Sequence, residues 1–287
     1  MEKIIPVVSS SVQGPLGVAH LPCMWLTAIA HASGQLADGY GPGGEMDQLL
    51  TEDLQIDSAT LAAFLKTVPA FAETEAWVRG HAGRIDDASI AAHNARVDAA
   101  HEAVLRTDLD DWARLHAFLT ARRGTKIEPM VPLVSMDTAG PLGIKLLPRL
   151  WAKALIHNAG ALPEGWRSGE TRVVYTAGIP GTLATPGQGM DASTVANLGL
   201  DMTATIGYLH RERPTYPEFE AWISANAGKL DADTIASHNA GPPPVSGERP
   251  AAELARMGYP EMSTCEMYLY NDLADWDAVR TQLLERG

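Results

Sequence analysis

Cysteine is nearly missing from this chain of 287 residues; Cys23 and Cys265 are the only two. They offer neither a disulfide framework nor zinc-ligand spacing, which suits a reducing compartment. Long apolar runs are missing as well, and none approaches the roughly 18 residues that span a bilayer. The opening Met1-Glu-Lys-Ile-Ile-Pro lacks a signal peptide's apolar stretch, so a cytoplasmic location is expected. Basic residues are in deficit, 22 against 35 acidic ones, for a formal net charge of −13. The imbalance is even along the chain, with 10 basic and 16 acidic residues up to Lys126. An acidic surface without a basic stripe argues against nucleic acid or an anionic membrane as partner. No P-loop, dinucleotide fingerprint, nucleophile elbow or H-E-x-x-H occurs, so no cofactor and no metal are expected.

What the chain does have is a duplication. G-P-L-G-V-A-H-L-P-C-M-W-L-T-A-I-A-H-A-S-G-Q-L-A-D-G-Y (Gly14 to Tyr40) aligns without a gap with G-P-L-G-I-K-L-L-P-R-L-W-A-K-A-L-I-H-N-A-G-A-L-P-E-G-W (Gly140 to Trp166). Twelve of 27 positions are identical at an offset of 126. The match resumes at E-T-E-A-W-V (Glu73 to Val78) and E-F-E-A-W-I (Glu218 to Ile223). It continues at Asp86–Ala95 with Asp231–Ala240, and at D-L-D-D-W (Asp108 to Trp112) with D-L-A-D-W (Asp272 to Trp276). A unit of about 120–150 residues is too long for a solenoid repeat and predicts two homologous domains. The expected division is 1–121, a linker at 122–129, and 130–287.

Each repeat opens with a short β-like run, Ile4–Ser9 or Met130–Ser135, whose proline restricts it to an edge strand or an extended lead-in. A Gly-Pro-Leu-Gly turn leads to a helix beginning near Leu21-Pro22 or Leu147-Pro148 and stopping near Gly34 or Gly160. Asp47, Asp57, Asp86, Asp191, Asp201 and Asp231 mark further helix starts. A last helix is expected to begin at Asp108–Trp112. The second copy carries insertions at about 167–189, a hairpin or lid, and 241–264, which opens with a stiff Pro-rich segment. The fold class predicted is mainly α: two homologous helical domains about a pseudo-twofold axis, with minor short β segments.

The copies differ on the first helix. The stripe His20, Cys23, Thr27, His31 becomes Leu146, Arg149, Lys153, His157, while Trp25/Trp151 and Ile29/Leu155 keep their apolar character. Two cations one turn apart repel, so Arg149 and Lys153 call for something negative between them. That is either a substrate carboxylate or phosphate, or Glu164 or Asp191 of the fold itself; drift on a solvated face is the plainer reading. His93-Asn and His238-Asn sit near the expected ends of short helices, where capping accounts for them. His20, Cys23 and His31 lack a fourth ligand at metal spacing, and Cys23 lacks an assignable catalytic partner. Tyr40 and Trp166 follow a glycine after the first helix and could line a pocket. The tryptophan pairs Trp25/Trp151, Trp77/Trp222 and Trp112/Trp276 are expected in the core. Glu73 and Glu75, like Glu218 and Glu220, lie two apart and face different sides of a helix.

The order of these motifs resembles a family of short bacterial single-domain proteins of unknown function, with L-G-G-Y-x-x-L-P-R-x-x-D-K-x-R, a P-L-D loop, a Trp-containing helix and a closing D-L-D-D. Pro148-Arg149 and Lys153 match its P-R and K elements, Asp191 or Asp47 the loop aspartate, and Asp108–Asp111 the closing element. Cys23 and Thr27 depart from it. The resemblance implies a fold and draws attention to Arg149, Lys153 and Asp191, but implies no reaction.

The leading expectation is a cofactor-independent lyase, isomerase or hydrolase acting on a small anionic metabolite. Arg149, Lys153, Trp166, Tyr40 and Cys23 would bind the substrate, and His157, His31 and Asp191 would serve catalysis. The competing expectations are a non-catalytic small-ligand or protein-binding module, and a metal-dependent enzyme using the repeat histidines. The expected partner is a small anion, with a second copy of the chain as the other candidate.

Overall fold

A computed structural model describes residues 3–122, 125–163 and 190–286. The described residues form thirteen helices and one two-stranded ribbon, so the fold is mainly α. The helices are α1 (Leu21–Ala32), α2 (Glu45–Asp53), α3 (Ser58–Leu65), α4 (Phe71–His81), α5 (Asp87–Ala99), α6 (His101–Ala121) and α7 (Leu147–Asn158). They continue with α8 (Met190–Asn197), α9 (Met202–Glu212), α10 (Tyr216–Asn226), α11 (Ala232–Asn239), α12 (Glu248–Arg256) and α13 (Met267–Arg286). Strands β1 (Val245–Ser246) and β2 (Thr264–Cys265) pair antiparallel, Val245 opposite Cys265. No helix among the described residues is long and apolar enough to cross a membrane.

Local chemistry explains the helix boundaries. Proline in the first turn opens α1 and α7, where its missing N–H costs nothing. Gly34 and Gly160 follow them with φ of 69° and 71°, the left-handed conformation that ends a helix cheaply. Asp57, Asp86, Asp201 and Asp231 accept a backbone N–H from the third residue on, as N-caps do. One expectation fails and another holds only in part. The closing helix of the first repeat starts at His101, ahead of Asp108, because α6 runs almost continuously on from α5. The Pro-rich segment from Gly241 is extended through β1 but turns helical from Glu248, at the start of α12. Of the two forms expected for the lead-ins at Ile4 and Met130, the extended lead-in is the one observed; Ile4 makes a single parallel bridge to Leu36. The insertion at 167–189 lies outside the described residues.

The compact units run differently from the repeats. One comprises Met1–Asp108 with Pro242–Gly287, the other Leu109–Gly241. Each core is thus completed by the closing helix that belongs, in sequence, to the other repeat. In the first unit Phe71 meets Trp25 at 5.4 Å and Trp276 of α13 at 4.7 Å, both edge to face. In the second unit Tyr216, the counterpart of Phe71, meets Trp151 at 5.5 Å and Trp112 of α6 at 4.5 Å. Such edge-to-face pairs add to large apolar burial and make these rings the energetic centre of each unit. Trp25 and Trp151 also donate equivalent indole N–H bonds, to the carbonyls of Pro69 and Pro214. Trp77 and Trp222, expected in the core, are only half buried; they stack on Phe64 and Tyr208 at the surface.

Candidate functional site

The turn before each first helix is clamped in the same way. Asn94 donates to the carbonyl of Gly17 and accepts from the amide of Ala19, while His93 Nε2 meets the carbonyl of Ala19 at 3.1 Å. Asn239 and His238 repeat this at Gly143 and Lys145. The His-Asn pairs are therefore loop clamps; His93 lies inside α5, where it caps nothing. The clamped turn ends in a residue with left-handed backbone, His20 (φ 68°) or Leu146 (φ 66°), directly before the helix. Since leucine and histidine share this strain, the backbone owes it to the turn and not to either side chain.

In the second unit the expected cation pair is buried. Arg149 is 1% exposed and donates through Nη1 to the carbonyls of Pro132 at 2.8 Å and Val134 at 2.7 Å. It thereby fixes the extended lead-in against α7. Lys153, 3% exposed, donates to Asp191 of α8 in a buried ion pair. A buried cation survives only with acceptors of this kind, and both find them within the protein. Of the two origins open for the negative partner of Lys153, the fold's own Asp191 is the one observed. His157 is half buried two turns beyond Arg149. Trp166 and Glu164 lie outside the described residues.

The first unit solves the same position differently. Asp47 of α2 occupies the place of Asp191, but Thr27 stands where Lys153 would be, and the partner comes from His20 instead. His20 Nε2 meets Asp47 Oδ1 at 2.7 Å, and Nδ1 meets Ser10 Oγ at 2.9 Å. The second carboxylate oxygen accepts the amides of Gly43 at 2.6 Å and Gly44 at 3.3 Å. Burial works to raise the Asp47 pKa, yet the His20 hydrogen bond and charge, with the two amides, hold it below its ordinary value.

Beside Asp47 a cleft of ≈ 180 Å³ opens between α1, α2 and α3. Met24, Ala28, Leu61 and Leu65 give it apolar walls, and His31 and Lys66 stand among its lining residues with exposed side chains. Of the residues expected to form a site, only His31 lines this cleft. Cys23, half buried on α1, and Tyr40 are not among its lining residues.

A further acid was missed by the sequence reading. Glu75 is 5% exposed, accepts the Leu16 amide at 2.8 Å and the Tyr259 hydroxyl at 2.9 Å. Burial pushes it up to about 7 against the opposing pull of those donors. Its counterpart Glu220 is also raised by burial and accepts from Leu142 and Tyr216. Each glutamate leaves no room for a side chain at the turn glycine, since a Cβ at Gly14 would come within 2.4 Å of Glu75 Oε1. The legible signal was Phe71, Glu75 and Val78 on one helical face, an acid within an apolar stripe. Glu73, by contrast, is exposed and caps α4, as its different face requires.

Among the described residues no three of His, Cys, Asp and Glu converge as metal ligands would. No family model, curated protein or solved structure matches the chain.

Proposed function

We propose that this protein binds a small carboxylate-bearing molecule with an apolar body, and that the cleft of the first unit is its site. One observation carries this reading: an apolar cleft of ≈ 180 Å³ whose lining includes the exposed nitrogen-bearing side chains of His31 and Lys66. A dry apolar cavity of about 150 Å³ admits a benzene ring, so the ligand is of that order of size. Met24, Leu61 and Leu65 would hold its body, and His31 and Lys66 would draw its carboxylate. Asp47 is spoken for by His20 and two amides, so it does not compete for a cationic ligand. Arg149 and Lys153 hold the second unit together, which favours a binding role over chemistry at that pair. The duplicated sequence and the matching aromatic triads support reading the two units as copies of one ancestral domain.

Calorimetric titration with benzoate and hexanoate, against benzamide and hexanamide, tests the proposal. The acids should bind better than the amides, and Ala28→Phe, which fills the cleft, should abolish binding of both. Equal affinity for acid and amide would remove the anionic specificity. Undiminished binding to folded Ala28→Phe would remove the cleft.

A further inference from the structure

His20 is 5% exposed, and both its ring nitrogens are engaged by side chains distant in sequence. The Asp47 carboxylate only accepts, so the proton between them sits on His20 Nε2. That leaves the lone pair of Nδ1 aimed at the Ser10 hydroxyl, 2.9 Å away. A hydroxyl, a ring nitrogen facing it, and a buried-side carboxylate fixing the tautomer are the three parts of an activated nucleophile. Here the ring nitrogens are interchanged relative to the usual serine-protease arrangement, which alters the approach but not the proton inventory.

Three features support a role beyond bracing. Ser10 is half buried at the tip of the Ser9–Val12 turn, closed by the Val12 amide on the Ser9 carbonyl at 3.2 Å. Its neighbours are differently employed: Ser9 donates to Asp108 at 2.7 Å and Ser11 is exposed. The array also belongs to one unit alone, because Met136 and Leu146 stand at the positions of Ser10 and His20. The second unit keeps the same turn, the same left-handed residue and the same aspartate without it, so the scaffold does not need the array.

We infer that Ser10, His20 and Asp47 form a nucleophile, base and orienting carboxylate for hydrolysis of a small carboxylic ester. This goes beyond the binding reading and uses different residues, although Asp47 also lines the cleft. Ser10 Oγ bonds to the ester carbonyl carbon as its proton passes to His20 Nδ1. The tetrahedral adduct collapses, the carbon–oxygen bond to the alcohol breaks, and Nδ1 returns the proton to the departing alcohol. Water then attacks the acyl-serine, giving a proton to Nδ1. Release of the acid carries the acyl group away, and Nδ1 restores the proton to Ser10 Oγ. The sum is ester plus water to acid plus alcohol.

A fluorophosphonate probe on the full chain tests this, read by intact mass and peptide mapping, with p-nitrophenyl acetate hydrolysis in parallel. A single adduct on Ser10, with labelling and hydrolysis both lost in Ser10→Ala, is the expected result. Asp47→Asn should slow labelling by about 100-fold or more, since the amide can stabilise the wrong tautomer. If Ser10→Ala fails to fold, Ser10→Cys replaces it and should react with iodoacetamide at position 10 faster than Cys23 or Cys265 does. No adduct, an adduct on Ser9 or Ser11, hydrolysis unchanged in Ser10→Ala, or an unreactive Ser10→Cys would each overturn the inference. Loss of benzoate binding with Ser10 labelling intact would instead sink the cleft reading alone.

Discussion

Asp47 and Asp191 hold corresponding places in their units, yet each meets a different partner. In the second unit Lys153 reaches Asp191 from the middle of the first helix, and Arg149 one turn earlier ties down the lead-in. In the first unit the helix offers Cys23 and Thr27 instead, and His20 meets Asp47 from the turn before the helix. The contrast teaches that a charged stripe is no guide to a ligand until its partners are known. A buried lysine requires a carboxylate of the fold, and having one it is a structural element. The unit whose stripe lacks Arg and Lys carries, among the described residues, an apolar cleft and a serine facing a histidine.

The largest effect expected within this comparison comes from the exchanged tryptophans. Trp276→Ala and Trp112→Ala should each lower stability by about 3–5 kcal/mol in urea unfolding. The first should act on the unit that contains Trp25, the second on the unit that contains Trp151. Hydrogen exchange resolves which amides lose protection. Protection lost around Trp151 in Trp276→Ala would contradict the assignment of the closing helices.

Asp191→Ala should cost roughly 3 kcal/mol or more, because it leaves Lys153 charged and buried. Lys153→Met combined with Asp191→Leu should recover most of that loss, since paired apolar replacements of a buried ion pair are often nearly neutral. A thermodynamic cycle showing additive single effects would mean the pair is not coupled.

Glu75 makes a pH-dependent contribution with a definite sign. Its folded pKa of about 7 lies above the 4.5 of an ordinary glutamate, so the folded state holds its proton more tightly. The associated stability is fully present below about pH 4.5 and is lost as pH rises through about 7. The total is up to about 3 kcal/mol. Comparing Glu75→Gln with the natural chain isolates this group. The variant's stability should change less across pH 5 to 8, and identical slopes would refute the assignment.

The smallest effect belongs to the mouth of the cleft. Lys66→Gln should weaken benzoate binding by no more than about fivefold, the size of an exposed charge contact. Benzamide binding should not change.

Much of the local architecture was legible along the chain. Pro22 and Pro148 open their helices, Gly34 and Gly160 close them, and four aspartates cap as their positions predict, because these interactions span at most a few residues. The His-Asn pairs were visible as a repeated motif, but their clamp role was not. His93 and Asn94 act on Gly17 and Ala19, more than seventy residues away in sequence. Glu75 could have been found as an acid on an apolar face; the Ser10–His20–Asp47 contact could not, since nothing in the spacing links a turn serine to a second helix.

Composition, periodicity and duplication by themselves determined a mainly helical chain with matched elements in two copies, for these properties follow from backbone preference and short-range contacts. Which closing helix completes which core was decided only in three dimensions. Both carry the same Asp-Leu-x-Asp-Trp pattern and would suit either aromatic cluster. The same holds for the side chain that meets each aspartate. Hydrophobic burial is indifferent to sequence distance, so the assignment of partners rests on packing that no stretch of sequence contains.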